Sequence, residues 1–275
     1  MNKKHQQERL LQEKNLTENI NRIKNKILII SGKGGVGKST VSTNLAYSFA
    51  LNGNKTGILD VDIHGPSIAK LTGIEGKELT FEIGQKPKPI KIINNLYVVT
   101  IASMLESSDD PIIWRGPMKM KAIKQLLSDI EWPELDYLIV DCPPGTGDEP
   151  LSVIQLLKKV DGTIIVSTPQ DVAFLDARKT INFSKNLNIP ILGIIENMTG
   201  FVCPKCGEKT NIFKSGGGEK ACKDFNVRLL GRIPIDTDIV DSGDNGKAYV
   251  YHYNKKEGAK IYKEISENII KILEK

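Results

Sequence analysis

The sequence predicts a single α/β domain built on a mainly parallel β-sheet with helices on both faces. Three observations carry this reading. Short continuous Ile/Leu/Val runs alternate with stretches of helical periodicity, as in repeated βαβ units. The runs lack the polar alternation of half-exposed strands, so both of their faces are covered. The chain has 275 residues, 40% of them hydrophobic and 26% charged, enough to cover such a sheet on both sides.

Taken in order, Lys3 to Lys24 is highly polar, with Leu10, Leu11, Leu16, Ile20 and Ile23 at roughly helical spacing. Residues 1–25 are therefore expected to form a helical N-terminal extension, frayed in part, ahead of a domain over residues 26–275. Strands are expected at Lys26 to Ser31, Lys55 to Asp60, Leu96 to Ile101, Tyr137 to Asp141, Gly162 to Thr168, Ile191 to Glu196 and Leu229 to Ile233. Helices are expected at Lys38 to Asn52, Pro117 to Ile130, Glu149 to Lys159, Val172 to Asn188 and Lys256 to Lys275. Thr72 to Asn95 is expected to be an irregular excursion, and Gly200 to Lys223 an insertion with its own chemistry.

Composition excludes several classes. The formal charge of +5 is modest, and the lysines are scattered instead of forming a basic block with interleaved aromatics, so no nucleic-acid partner is expected. Met1 to Lys26 contains no apolar leader core of about 7 to 15 residues, and no stretch approaches the ~20 apolar residues that span a bilayer. Ile261, Ile265, Ile269, Ile270 and Ile272 form a core-packing face on the last helix, not a membrane-binding one. A cytoplasmic protein without a membrane partner is the expectation. Four cysteines are too few for a disulfide scaffold of this size and point to metal or redox chemistry.

The strongest chemical signal is Gly32-Lys33-Gly34-Gly35-Val36-Gly37-Lys38-Ser39-Thr40, between the apolar run Ile27-Leu28-Ile29-Ile30 and a helix. Strand, glycine-rich turn and helix start are the context that a phosphate-binding loop requires. Glycines let backbone N–H groups curl around phosphate oxygens, and the helix N-terminus adds its positive dipole end. Lys38 is the cation for the β- and γ-phosphates, and Ser39 the hydroxyl for Mg²⁺. Lys33 is not required by a plain phosphate loop. It resembles the signature lysine of the deviant Walker A class, which implies a dimer in which this lysine reaches the partner's phosphates.

Two acidic segments follow strands. Asp60-Val61-Asp62-Ile63-His64-Gly65-Pro66-Ser67 and Asp141-Cys142-Pro143-Pro144-Gly145-Thr146-Gly147-Asp148 both leave carboxyl ends, where ligands bind in open α/β sheets. Asp141 is placed to hold Mg²⁺ directly or through water. Asp62 is the candidate for orienting the attacking water, with Asp60 the alternative. Gly145 and Gly147 leave this loop room to move. His64 is expected to have no catalytic duty, and Asp171 and Asp176 to cap their helix or face solvent.

Cys203-Pro204-Lys205-Cys206 puts two thiols in one tight turn. Two thiols are half of the usual four ligands. Three readings stand: a cluster shared across a two-fold axis, a zinc site completed by Cys222, or a redox pair without metal.

Together with Trp114-Arg115-Gly116-Pro117 and Glu196-Asn197-Met198, these motifs resemble the Mrp/ApbC family of iron-sulfur carrier ATPases, over about Lys26 to Lys275. The resemblance implies a homodimer that binds ATP, carries a labile 4Fe-4S cluster on paired Cys203 and Cys206, and passes it to apo iron-sulfur proteins. It also implies that Asn197 bonds the adenine and that the Ile233-Pro234 turn flanks it. Hydrolysis is expected to be slow, as suits a switch. The alternative is a partition or positioning ATPase with a structural zinc site.

Overall fold

The computed structural model describes residues 3–63, 65–79, 85–104, 116–203, 205–213 and 216–274. His64, Trp114, Arg115 and Pro204, singled out above, lie outside these residues, as does the side chain of Asp171.

The helices are α1 (Lys3–Asn21), α2 (Lys38–Leu51), α3 (Ile68–Thr72), α4 (Gly116–Ser128), α5 (Asp148–Leu157), α6 (Asp171–Asn186), α7 (Gly217–Phe225), α8 (Thr237–Asp244), α9 (Tyr249–His252) and α10 (Glu257–Leu273). The strands are β1 (Ile23–Ile30), β2 (Thr56–Asp60), β3 (Ile90–Ile93), β4 (Leu96–Thr100), β5 (Leu135–Asp141), β6 (Gly162–Ser167), β7 (Ile191–Val202), β8 (Lys209–Thr210) and β9 (Leu229–Ile235). They form one nine-stranded sheet in the order β3-β4-β2-β5-β1-β6-β7-β8, with β9 also paired to β7. Pairing is parallel except at β3/β4 and β7/β8.

The sheet has a core on each face, and period-two alternation within single strands divides them. In β1, Leu28 and Ile30 join the cluster under α4, α5 and α6, whereas Ile27 and Ile29 join the one under α2 and α10. Continuous apolar runs thus serve two cores at once, as the sequence pattern requires. Ile265 and Ile269 of α10 are fully buried there, with Ile261, Ile270 and Ile272 partly buried beside them.

The expected elements are present, and α3, β3, α8 and α9 join them, β3 within the Thr72 to Asn95 stretch expected to be irregular. Strand β1 starts at Ile23, inside the stretch assigned to the extension. Helix α1 is docked over its second half, because Leu16 and Ile20 are buried and Asn19 Nδ2 donates to the carbonyls of Leu127, Ser128 and Ile130 at 2.8, 3.4 and 2.7 Å. The first two carbonyls lie in the last turn of α4, where no intrahelical donor remains, and the third lies just beyond it. Strand β7 continues past Glu196 to Val202, and the insertion after it contains β8 and α7. Left-handed residues Met198 (φ 62°) and Gly200 (φ 75°) break the extended pattern there, and the register against β9 shifts between Asn197 and Phe201.

Candidate functional site

Parallel pairing brings the carboxyl ends of β1, β2 and β5 side by side, with Asp60 and Asp141 as register partners and Ile29 beside Asp141. The phosphate loop leaves β1 at this edge. Gly35 and Gly37 take left-handed φ values of 78° and 80°, and a Cβ on Gly37 would lie 2.3 Å from Asn197 Nδ2. Only glycine meets both demands at position 37. The loop surrounds a cavity of about 250 Å³, whose wall also includes Asp62, Ser67 and Pro144.

Lys38 is the hub. Its Nζ lies 2.8 Å from Asp141 Oδ2 and 3.5 Å from Asp62 Oδ2, and all three groups are buried. Ser39 Oγ donates to Asp141 Oδ2 and Ser42 Oγ to Asp141 Oδ1, each at 2.6 Å. Burial alone would lower the Lys38 pKa, but the Asp141 carboxylate and then Asp62 outweigh it, and the ammonium is held above its ordinary value. Burial raises Asp62, partly offset by Lys38. Asp60, which accepts from Thr100 Oγ1 at 2.9 Å and from the Asp62 N–H at 3.1 Å, is pushed up to about 8 by burial and by the neighbouring Asp141.

These residues fit a magnesium nucleotide. Asp62 Oδ1 is buried with no hydrogen-bond partner, an arrangement that a bound water or metal shell would satisfy. Ser39 and Asp141 put a hydroxyl and a carboxylate oxygen together at the head of α2, the oxygen donor set that Mg²⁺ takes.

The other expected residues fall as follows. Lys33 is half-buried and its Nζ donates to Gln170 Oε1 of the same chain at 3.4 Å. Asn197 Nδ2 donates to the Val36 carbonyl at 2.9 Å, so this amide braces the phosphate loop. Pro234 lies within β9, not in a turn, on the wall of a separate cavity of about 390 Å³. Asp176 pairs with Lys179 at 3.6 Å. Cys142 is fully buried, and burial drives its thiol pKa far above the ordinary value, as suits a small core residue.

Cys203 and Cys206 sit in the turn between β7 and β8, closed by Gly207 N–H to Cys203 O at 2.8 Å and Cys203 N–H to Glu208 O at 2.9 Å. Cys206 is exposed and Cys203 half-buried. Hydrogen bonds from the backbone of Cys206 and Lys205 hold the Cys203 thiol below its ordinary pKa. Cys222 packs against the core from α7, and burial pushes it up to about 11. Among the described residues no group of three or more His, Cys, Asp and Glu side chains is placed to hold a metal ion. Sequence reasoning missed Ser42 and gave Glu196 no role beyond its place in the Glu196-Asn197-Met198 motif: a serine in a helix and a glutamate in a strand carry no local signal of their partners.

A parallel sheet with a glycine loop, a buried lysine and a strand-end aspartate at its carboxyl edge defines a nucleotide-binding P-loop NTPase. The chain belongs to the family described as ParA, the NUBPL iron-transfer P-loop NTPases, whose model matches residues 22–270. It is 48% identical over 261 residues to an iron-sulfur cluster carrier protein of Methanocaldococcus jannaschii, covering 94% of this chain and 89% of that one. A carrier protein of the same description from Saccharolobus solfataricus is 45% identical over 252 residues, 92% of this chain and 85% of its own. Among solved structures, a nucleotide-binding protein of Archaeoglobus fulgidus in complex with ADP superposes with a TM-score of 0.76 at 36% identity, over 87% of this chain and 93% of that one. The cell-division ATPase MinD of Pyrococcus furiosus, at 22% identity and a TM-score of 0.65 over 90% and 99% of the two chains, shares the fold. No helix among the described residues is long and apolar enough to cross a membrane.

Proposed function

We propose that this protein is a cytoplasmic, slowly hydrolysing ATPase that carries a 4Fe-4S cluster between two copies of the chain and delivers it to apo iron-sulfur proteins. The observation that carries the reading is the course of β7: Asn197 braces the phosphate loop, and six residues further on the same strand opens into the Cys203–Cys206 turn. Two thiols per chain make four in a two-fold dimer, the number such a cluster takes.

In this reading Lys38 meets the β- and γ-phosphates, Ser39 and Asp141 hold Mg²⁺, and Asp62 orients the attacking water. Lys33 acts across the dimer on the partner's nucleotide. Asn197 and Pro234 border the base. Nucleotide state selects between two arrangements of the subunits, and only its differential affinity for them is available to shift the cluster.

Anaerobic reconstitution with iron and sulfide tests this. About four irons per dimer and a broad visible absorbance are expected, lost in the Cys203→Ser, Cys206→Ser double variant. Undiminished iron uptake by that variant, or a protein that stays monomeric with nucleotide and iron supplied, would overturn the reading.

A further inference from the structure

Glu196 is almost fully buried one residue before Asn197, yet the nucleotide chemistry makes no use of it. Its Oε1 accepts from the Gly218 N–H at the start of α7 at 2.7 Å, and its Oε2 takes Arg232 Nε of β9 at 3.1 Å. Arg232 reaches on to Glu219, also of α7, at 2.8 Å. One carboxylate therefore ties together β7, β9 and the first turn of α7, and breaking it leaves a buried group without its partners.

The glycines at that turn allow unusually close contacts. A Cβ on Gly218 would fall 2.9 Å from Glu196 Oε1, and one on Gly217 would fall 2.6 Å from the carbonyl of Pro169. Pro169 precedes Gln170, whose side chain holds Lys33. The start of α7 thus meets two paths from the phosphate loop, one through Asn197 and Glu196 and one through Lys33, Gln170 and Pro169. The thiol turn lies on β7 beyond Glu196 and Asn197, with β8 and α7 following it in the chain.

We infer that Glu196 is the positioning residue that links the phosphate loop to the Cys203–Cys206 turn, through its hold on the glycine start of α7, so that nucleotide occupancy alters the accessibility of the two thiols. The link deepens the carrier reading but needs no cluster, because it concerns the thiols of the metal-free chain. The route to the thiols is β7 itself, which runs from Glu196 and Asn197 into their turn, and coupling along it requires discrete arrangements that both sites bias.

The test is alkylation of metal-free, reduced full-length protein with N-ethylmaleimide, with and without a magnesium complex of a non-hydrolysable ATP analogue, each cysteine followed by peptide mass spectrometry. In the natural sequence, saturating nucleotide is expected to change the rate at Cys203 or Cys206 by about fivefold or more. Glu196→Gln and Gly218→Ala should each bring that ratio toward one while nucleotide affinity stays within about twofold. Gly218→Ala displaces the carboxylate without altering it, and carries the test alone where Glu196→Gln does not fold. A ratio near one in the natural sequence, or the full ratio kept in the variants that fold, overturns the coupling. Neither result touches the carrier reading, which stands or falls on iron reconstitution.

Discussion

Lys38 Nζ and Asp141 Oδ2 are 2.8 Å apart and buried, so the cation proposed for phosphate and the carboxylate proposed for Mg²⁺ are each other's partner. Magnesium nucleotide would replace this pair by one contact for each partner, which removes much of the desolvation cost of opening it.

Lys38→Ala should therefore abolish nucleotide binding in calorimetry and destabilise the fold by about 3 kcal/mol, because buried carboxylates lose their counter-charge. The loss should grow with pH. Asp60 is raised from the ordinary 3.8 to about 8, and Asp62 is raised also, each chiefly by burial. A carboxylate raised in the folded chain stabilises it while protonated, and that stability is lost as pH climbs from near 4 through the folded value. Without Lys38 both values move further up. Thermal denaturation of the variant at pH 5 and pH 8 checks the sign: an equal deficit at the two would refute it.

Lys33 lines the cavity, but its ammonium is held by Gln170 of its own chain and is not paired with Asp62 or Asp141, so its removal should leave the Lys38 cluster intact. Lys33→Ala is expected to bind nucleotide with little change and to hydrolyse it about a hundredfold more slowly or worse. Normal turnover in that variant would remove Lys33 from the role proposed for it across a dimer.

Ser42 donates to Asp141 Oδ1 at 2.6 Å from the second turn of α2. Ser42→Ala should cost about 1–3 kcal/mol through a buried acceptor left unmet. It should also raise the Mg²⁺ concentration needed for nucleotide binding about tenfold or more, because the carboxylate proposed to hold the metal is less well oriented. Ser42→Thr keeps the hydroxyl and should restore most of both. A magnesium titration identical in all three proteins would show that Ser42 only fills space.

Thiol reactivity should separate the cysteines in order. The thiolate is the reactive form. Hydrogen bonds from the Cys206 and Lys205 backbone favour it at Cys203, so labelling there should reach half its limiting rate below pH 9.0, the ordinary value. Half-buried Cys222 is pushed up to about 11 by burial, so it should label more slowly than Cys203, and fully buried Cys142, raised further, should resist until the protein is unfolded. Mass spectrometry between pH 6 and pH 10 reads this directly, and labelling of Cys222 as fast as Cys203 would contradict its burial.

Helix α1 should behave as part of the fold despite its polar sequence. Asn19→Ala strips donors from three carbonyls at and just beyond the end of α4 and should lower stability by about 1–3 kcal/mol. Replacing exposed Leu10 or Leu11 by Ser should change it by less than about 0.5 kcal/mol. Equal melting temperatures for all of these variants would mean that the docked half of α1 contributes nothing.

What the sequence determined by itself was whatever chain neighbours encode. Glycine spacing at 34, 35 and 37 between an apolar run and a helix is a local statement, and so is an aspartate at the end of such a run. The phosphate loop, most strand and helix positions and the parallel sheet followed from these. Tertiary structure decided the partners. Ser39 and Asp141 are 102 residues apart in the chain and 2.6 Å apart in space. Nothing adjacent to Asp60 says that Asp141 stands beside it on the next strand. The same holds where the local reading was a frayed helical extension and an insertion: α1 is anchored by Leu16, Ile20 and Asn19 on a distant helix, and β7 continues beyond Glu196 because β8 and β9 supply its hydrogen bonds through left-handed Met198 and Gly200. Backbone preference is written in short range, whereas burial, charge pairing and hydrogen-bond satisfaction depend on which distant residues packing brings together.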